Sequence, residues 1–214
     1  YVEAHLSLGE ILFELGKVEE ASASEWNAIK FDPSFIHIKS YRDNAKLINK
    51  TAFYVFSYIL FSHFRPIIEI NPSLFEILVP DDIDQRIIQN IRNDLNNRDI
   101  KIRSVNELIK NKLIYEKLVS IRGDDECEFI EDKKNMNKRI TVPVIKLVGE
   151  KNIRFMYTAG KNKYTIYSYW NKYYDGILCY GPYHENKFKV RHKVPTAQMG
   201  YPRFDKYFNP RFKK

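Results

Sequence analysis

A stretch of strand and turn signals near the end of the chain constrains the fold more than any other part of the sequence. It covers residues 175–205, DGILCYGPYHENKFKVRHKVPTAQMGYPRFD. Residues 177–180 form a short apolar run typical of a buried parallel strand, and Gly181-Pro182 ends it. Residues 183–189 have the polarity of a surface helix, and a second strand-like run at 197–199 stops at Gly200. We therefore predict two adjacent strands whose carboxyl ends form the lip of a cleft.

The pattern D-x-I-L-x-x-G-P-Y, followed by G-Y-P-R-F-D, resembles the CDP-glycerol glycerophosphotransferase family, which has a GT-B fold and builds teichoic-acid-like surface polymers. The resemblance covers roughly residues 53–214. It implies that the chain is the acceptor-side, N-terminal half of a GT-B transferase. Nucleotide-sugar 2-epimerases of GT-B fold share looser versions of the pattern, and both glycines can also end strands in an unrelated α/β protein.

The resemblance also indicates what this chain lacks. The chain begins at Tyr1 and stops at Lys214, soon after the second motif, so we expect it to be a piece of a longer protein. A nucleotide-activated donor would be bound mainly by a missing C-terminal half, and the 214-residue fragment would be inactive alone. We expect no cofactor. The acceptor would be a glycan or a polyol-phosphate polymer.

The net charge of +8 arises entirely at the end of the chain. Residues 186–214 contain nine Lys or Arg and one acidic residue, whereas the preceding 185 residues balance. Such an end can attract anionic lipid, a polyphosphate acceptor or nucleic acid, or it can meet acidic residues of a missing half. No nucleic-acid-binding signature accompanies the charge, so we expect no nucleic-acid partner.

Cysteine usage and hydropathy indicate the compartment. Cys127 and Cys179 have neither metal-ligand spacing nor the pattern of a disulfide framework, which is typical of a reducing environment. No apolar run is long enough to span a bilayer. We therefore expect a cytoplasmic location, with membrane contact limited to peripheral association at the inner face.

Residues 1–33 follow the spacing of a tetratricopeptide repeat. His5 and Glu25 depart from its aromatic positions. The matching positions are Leu8, Gly9, Leu12, Gly16, Ala21, Ala28 and Pro33. We expect a helical hairpin in which Leu8 and Leu12 are packed, and we interpret it either as part of a partner-binding array, which implies a protein partner, or as a helical spacer.

The middle of the chain alternates strand and helix signals. We expect residues 1–50 to form the hairpin and a linking helix at 41–50, and residues 51–214 to form a Rossmann-like domain with a parallel, doubly wound sheet. Strands are predicted at 53–60, 74–79, 100–103 and 113–121, with further apolar runs at 142–148 and 153–157. Asp81-Asp82 should cap a helix at 83–95, and Ser104 with Glu107 forms a capping box. The charged segment 123–138 is interpreted as a surface loop, in which an acidic cluster is an alternative metal site.

The predicted cleft receives three loops, at 62–66, at 158–161 and at the two Gly-Pro turns. By the resemblance, the second loop should carry a His-Gly pair whose histidine is the general base, but Ala159 stands before Gly160. His63 is the replacement candidate, because an imidazole can accept a proton near neutral pH. A packing role is the alternative.

The candidate substrate-binding residues lie in the same three loops, and no metal ligand is predicted. Among them, Arg65, Lys161 and Arg203 could neutralise phosphate. The full set is Ser62, Arg65, Thr158, Gly160, Lys161, Tyr180, Gly181, Pro182, Gly200, Arg203 and Asp205.

Residues 164–174, YTIYSYWNKYY, are the densest aromatic stretch. Aromatic rings can stack on sugars in a cleft. The alternative, which the spacing favours, is that Tyr167, Trp170 and Tyr174 form the buried stripe of one helix.

Overall fold

The computed structural model describes residues 1–32, 34–96, 98–123, 125–129, 140–156, 166 and 168–204. Its strands are β1 (Lys46–Tyr54), β2 (Phe75–Val79), β3 (Ile102–Ser104), β4 (Leu113–Ser120), β5 (Glu126–Phe129), β6 (Ile140–Pro143), β7 (Gly149–Phe155), β8 (Gly176–Cys179) and β9 (Thr196–Gln198). Its helices are α1 (Val2–Glu14), α2 (Val18–Lys30), α3 (Ser34–Asp43), α4 (Tyr58–Ile68), α5 (Gln85–Asp94), α6 (Val105–Asn111), α7 (Val144–Val148) and α8 (Pro182–His192). Short 3-10 helices cover Pro72–Leu74 and Tyr169–Tyr173.

Seven strands form one parallel sheet in the order β3-β2-β1-β4-β7-β8-β9. Helices α4 and α5 pack on one face of the sheet, while α6, α7 and α8 pack on the other. The predicted α/β class with a Rossmann-like parallel sheet is therefore confirmed. The chain reverses its direction across the sheet between β1 and β4, and the carboxyl edge beside that point is where such sheets bind ligands.

The first strand and its helix differ from the prediction. Residues 46–54 form β1, so the helix expected at 41–50 is confirmed only for residues 41–43, at the end of α3, and the strand expected at 53–60 only for residues 53–54. Strand β1 also includes residues 50 and 51, between which the domain boundary was expected. Ser57 begins α4 as its N-cap, accepting a hydrogen bond from the backbone N–H of Leu60 at 3.4 Å. The loop expected at 62–66 is also wrong, because buried Leu60, Phe61 and Phe64 lie at helical spacing and α4 continues through Pro66.

The predicted strands at 74–79, 100–103 and 113–121 are confirmed as β2, β3 and β4. Helix α5 begins later than predicted, with Asp84 as its N-cap, because Asp81 instead accepts a hydrogen bond from the backbone N–H of Asn106 at 3.0 Å. Ser104 caps α6 as expected, accepting from the N–H of Glu107 at 3.2 Å.

The described residues between β4 and β7 contain strands and a helix that the sequence did not indicate. The antiparallel pair β5–β6 lies within and just after the predicted loop at 123–138, of which residues 124 and 130–138 lie outside the described residues. Residues 144–148, expected to continue an apolar strand-like run, form helix α7. The runs at 177–180, 183–189 and 197–199 are confirmed as β8, α8 and β9.

Helices α1 and α2 form the expected helical pair, and Gly16 between them adopts φ +76°, a left-handed conformation that favours glycine. A Cβ on residue 9 would lie 2.8 Å from Cγ of Glu25, so Gly9 makes room for that side chain. The expectation that Leu8 is packed is wrong, since it is 46% exposed. Ile11 and Leu15 continue the same exposed row.

A buried ionic network attaches this hairpin to the α/β domain. Glu25 of α2 pairs with Arg191 of α8 and, at 3.5 Å, with Nζ of Lys172, whose ammonium also donates to the Ser22 hydroxyl at 2.8 Å. The side chains of Glu25, Lys172 and Arg191 are at most 3% exposed. The ring of Phe13 lies 4.0 Å from the Arg191 guanidinium. The hairpin is thus docked on the domain and is not a free tail.

Candidate ligand site at the carboxyl edge

The two Gly-Pro motifs lie side by side because the strands that carry them are hydrogen-bonded neighbours. Strands β8 and β9 pair in parallel, with Cys179 opposite Gln198. The backbone N–H of Met199 then donates to the carbonyl of Cys179 at 2.8 Å, just before the chain leaves the sheet. The segments that follow the two strands therefore start from the same point on the carboxyl edge.

Tyr180 and Tyr201 stack on one another at this edge. Their ring centroids lie 4.3 Å apart at an interplanar angle of 19°, and the ring of Phe204 lies 4.7 Å from that of Tyr201. Gly200 adopts φ +71°, which a side chain would disfavour, and so allows the turn between β9 and Tyr201. Gly181 has extended backbone and precedes Pro182, the first residue of α8. These residues form an aromatic cluster at the lip predicted from the sequence.

His63 lies next to this cluster. Its side chain is on α4 and the residue is 3% exposed, with its ring 5.9 Å from that of Tyr201. Nη1 of Arg203 donates to Nε2 of His63 at 3.3 Å. Burial, with a smaller contribution from the nearby Arg203 charge, lowers the pKa of His63. The imidazole is therefore neutral at neutral pH, and its Nε2 lone pair is occupied by the arginine.

The other two candidates on α4 are engaged within the helices. The Ser62 hydroxyl donates to the carbonyl of Ile59 at 2.6 Å. Arg65 pairs with Glu69 at 2.8 Å and with Asp94 at 2.8 Å, and so links α4 to α5. Ser62 is thus bonded within α4, and Arg65 joins α4 to α5.

Several predicted site residues lie outside the described residues. They are Thr158, Gly160, Lys161 and Asp205, together with Ala159. The strand before the 158–161 loop is nevertheless part of the site, because β7 pairs with β8 and the N–H of Met156 donates to the carbonyl of Leu178 at 3.3 Å. The chain thus leaves β7 at the same edge as the Tyr180–Tyr201 stack.

The aromatic segment contributes to the core. Trp170 and Tyr174 are 7% and 3% exposed, in and just after the second 3-10 helix, and the Tyr174 hydroxyl lies 2.7 Å from that of Ser120. The buried stripe is therefore confirmed for these two residues, although in a 3-10 helix. Tyr167 lies outside the described residues.

Sequence reasoning missed a buried polar cluster behind the lip. Arg154 on β7 is 2% exposed, pairs with Asn171, and has its guanidinium 4.6 Å from the ring centroid of Trp170. Nε2 of His192 donates to the carbonyl of Ile166 at 2.6 Å, and burial lowers the pKa of His192 to about 3. These residues come from separate elements, so no local spacing in the sequence predicts the cluster. It supports the sheet edge from the α8 side.

Glu185 ties α8 to β9. Its carboxylate pairs with Lys189 at 2.8 Å and accepts hydrogen bonds from Gln198 at 2.7 Å and Thr196 at 3.1 Å. The hydrogen bonds from Lys189, Gln198 and Thr196 together lower the pKa of Glu185 to about 2. The carboxylate remains ionised at neutral pH and holds the first turns of α8 against the strand that carries the second motif.

Comparisons with known proteins add no identification. No family model matches the sequence, and no curated protein matches it either. Within the described ranges, no group of three His, Cys, Asp or Glu side chains is arranged to hold a metal ion. No helix in the described part of the chain is both long and apolar enough to cross a membrane.

Proposed function

We propose that this chain is the acceptor-side half of a GT-B glycosyl- or glycerophosphotransferase that extends a surface glycan or a teichoic-acid-like polymer. The observation that supports this proposal most directly is that the motifs that begin at Asp175 and at Gly200 meet at one sheet edge, where Tyr180 stacks on Tyr201. The parallel, doubly wound sheet supports the GT-B assignment, because that fold uses Rossmann-like halves. The alternative of a nucleotide-sugar 2-epimerase rests on the same fold without a separate observation.

The residues at the edge suit an acceptor that carries hydroxyl and phosphate groups. The aromatic faces of Tyr201 and Phe204 can pack against the C–H groups of a sugar or polyol. The Arg203 guanidinium can bind a phosphate oxygen. A phosphate competes with His63 for that guanidinium, and its binding would free the Nε2 lone pair to accept a proton from the attacking hydroxyl.

The rest of the proposal concerns partners outside this site. A second, C-terminal half would bind the nucleotide-activated donor, so this chain alone should be inactive. The basic end of the chain, with its excess of eight positive charges, suits a polyanionic acceptor or the anionic inner face of a membrane. The N-terminal hairpin, proposed as TPR-like, would bind a protein partner.

The acceptor site can be tested by titrating glycerol 3-phosphate into the chain and following histidine and backbone NMR signals. Arg203→Gln should weaken binding at least about tenfold, as expected for loss of a charge-assisted hydrogen bond. Arg98→Gln is the matched control, because Arg98 donates to the carbonyl of Glu69 just beyond α4, at the opposite edge of the sheet. Equal affinities of the two variants would contradict the proposed site.

The catalytic role of His63 needs turnover by the full-length enzyme. His63→Ala should reduce the rate at saturating donor by about a hundredfold with little change in acceptor affinity, which is typical for loss of a general base. Urea unfolding of the same variant separates catalysis from stability, because His63 is buried. Comparable rates for wild type and variant would assign His63 to packing.

A non-catalytic scaffold is the second candidate function. It is favoured by the exposed row of Leu8 and Ile11 on α1 and Leu15 at its C-cap, which are 46%, 55% and 68% exposed. An apolar row of this kind is typical of a surface that binds another protein. Full-length protein that lacks turnover with any nucleotide-activated donor, and whose acceptor binding is unchanged by Arg203→Gln, would favour the scaffold.

A further inference from the structure

A cavity of about 480 Å³ lies at the same carboxyl edge, but at the other end of the sheet. The ends of β2 and β3 form one side of it, and α5 forms the other. Its volume falls within the range of about 300–1,000 Å³ that is typical of small-molecule sites. The residues considered so far for the acceptor site do not line it.

The cavity has two chemically different walls. Val79 and Ile102 on the strands, with Ile83 in the segment between β2 and α5, give it an aliphatic wall. The helix side is mostly polar: Gln85, Gln89 and Arg92 are spaced four and three residues apart on one face of α5, and Arg86 and Ile88 lie beside them. A ligand there would contact C–H surface on one side and hydrogen-bonding groups on the other.

Two of the arginines that line the cavity are paired with carboxylates. Arg86 pairs with Asp84, and Arg103 pairs with Glu76 and Glu107. Asp81 accepts a hydrogen bond from the backbone N–H of Asn106. These groups hold the walls in place and are less available to a ligand.

The groups that remain available are those of the helix wall. In the described part of the chain, the side chains of Gln85 and Arg92 have no hydrogen-bond or ion-pair partner. The Gln89 amide nitrogen donates to Oδ1 of Asn93 at 2.9 Å, which leaves its carbonyl oxygen available. Two carboxamides and one guanidinium can bind adjacent hydroxyls and one anionic oxygen.

We propose that this cavity binds one polyol-phosphate unit of the polymeric acceptor, away from the end that reacts. The inference rests on the proposed function and names the acceptor as a polymer bound at two points. Five strand spacings of about 4.8 Å separate the β2–β3 end from the β8–β9 end, which corresponds to about 24 Å along the edge. A short acceptor reaches only one of the two points, so the cavity selects for long acceptors.

Calorimetry with the whole chain tests this selection, using glycerol 3-phosphate and a synthetic glycerol-phosphate decamer as probes. Wild type should bind the decamer at least about tenfold more tightly than the monomer, because the second point adds effective concentration. The double variant Gln85→Ala/Arg92→Gln should lose that preference together with the monomer site in the cavity, while the affinity of the remaining monomer site, at the Arg203 edge, stays unchanged. Arg98→Gln, which removes the same charge elsewhere, should keep the preference.

The outcomes separate the inference from the proposed function. A double variant that keeps the decamer preference, or a control that loses it equally, would overturn the second binding point while leaving the first intact. Failure of wild type to bind either probe would overturn the acceptor role and the inference with it. Both substituted side chains are exposed on α5, and unfolding in urea checks that the variants remain folded.

Discussion

Two buried glutamates in this protein show opposite responses to burial. Glu76 on β2 accepts hydrogen bonds from Arg103 and from the Tyr115 hydroxyl, both at 2.9 Å, and its side chain is 5% exposed. Glu25 on α2 pairs with Lys172 and Arg191, and its side chain is 2% exposed. The pKa of Glu76 is lowered, whereas that of Glu25 is raised.

The difference follows from the balance at each site between burial, which raises the pKa of a carboxyl, and the hydrogen bonds and positive charges that lower it. At Glu76, burial acts to raise the pKa, but the hydrogen bonds from Arg103 and Tyr115 outweigh it. At Glu25, burial is the larger effect despite the opposing Arg191 and Lys172 charges. Burial therefore disfavours the charged carboxylate more at Glu25, in the network that docks the hairpin, than at Glu76 inside the sheet. Removing one partner from the Glu25 network should reduce the free energy of unfolding more.

Glu25→Gln should have the largest effect. It leaves Lys172 and Arg191 buried without a carboxylate, which typically costs about 3–5 kcal/mol of unfolding free energy. Urea denaturation followed by circular dichroism measures this loss. A change below about 1 kcal/mol would mean that the two cations find other partners, and would remove the contrast with Glu76.

The stability contribution of Lys172 should depend on pH. Burial lowers the pKa of Lys172 to about 8 against the opposing charge of Glu25. Because the folded pKa lies below the unfolded value of 10.5, the unfolded chain holds the proton more tightly. The free energy of unfolding should therefore rise, by about 3 kcal/mol, as pH increases from about 8 to 10.5.

The measurement compares wild type with Lys172→Met across that range. Burial raises the pKa of Cys179 to about 11, so this thiol lowers stability with increasing pH and partly masks the effect in wild type alone. The difference between the two stability curves isolates Lys172. Parallel curves would contradict a depressed pKa at this residue.

Glu76→Gln is the matched substitution inside the sheet and should have the smallest effect, about 1–2 kcal/mol. Arg103 keeps its pairing with Glu107, and the side chain of Lys50 is 40% exposed and can be solvated. The substituted amide can still accept the Tyr115 hydroxyl. A loss equal to that of Glu25→Gln in the same denaturation assay would show that burial, and not hydrogen bonding, governs both networks.

Local signals predicted the last part of the sheet well and its first strand poorly. The run at 177–180 is apolar and ends at Gly181, and β8 occupies nearly the same residues. In contrast, β1 begins with the polar, largely exposed Lys46 and resembles a linker, because only its last residues are buried between neighbouring strands. Ser57 was the available signal for α4, as an N-cap before a helical apolar spacing.

The sequence predicted only the part of the candidate site that lies at the strand ends, and not its contacts between residues far apart in the chain. The strand-end motifs placed Tyr180 and Arg203 at one edge because parallel strands share their carboxyl ends. The contact between Arg203 and His63 joins residues 140 positions apart, and that between Glu25 and Arg191 joins residues 166 apart. Such contacts depend on how helices pack on the sheet, which no local spacing encodes.

The close approach of Gly9 to Glu25 limits how the sequence of the hairpin can change during evolution. Any side chain at position 9 would collide with Glu25, and replacing Glu25 would leave two cations of the α/β domain buried without their anion. We therefore expect substitutions to be tolerated only in combination at four positions, which are Gly9, Glu25, Lys172 and Arg191. The hairpin is not an interchangeable module: transferred to another sheet domain, it would carry an unpaired carboxylate into the new interface.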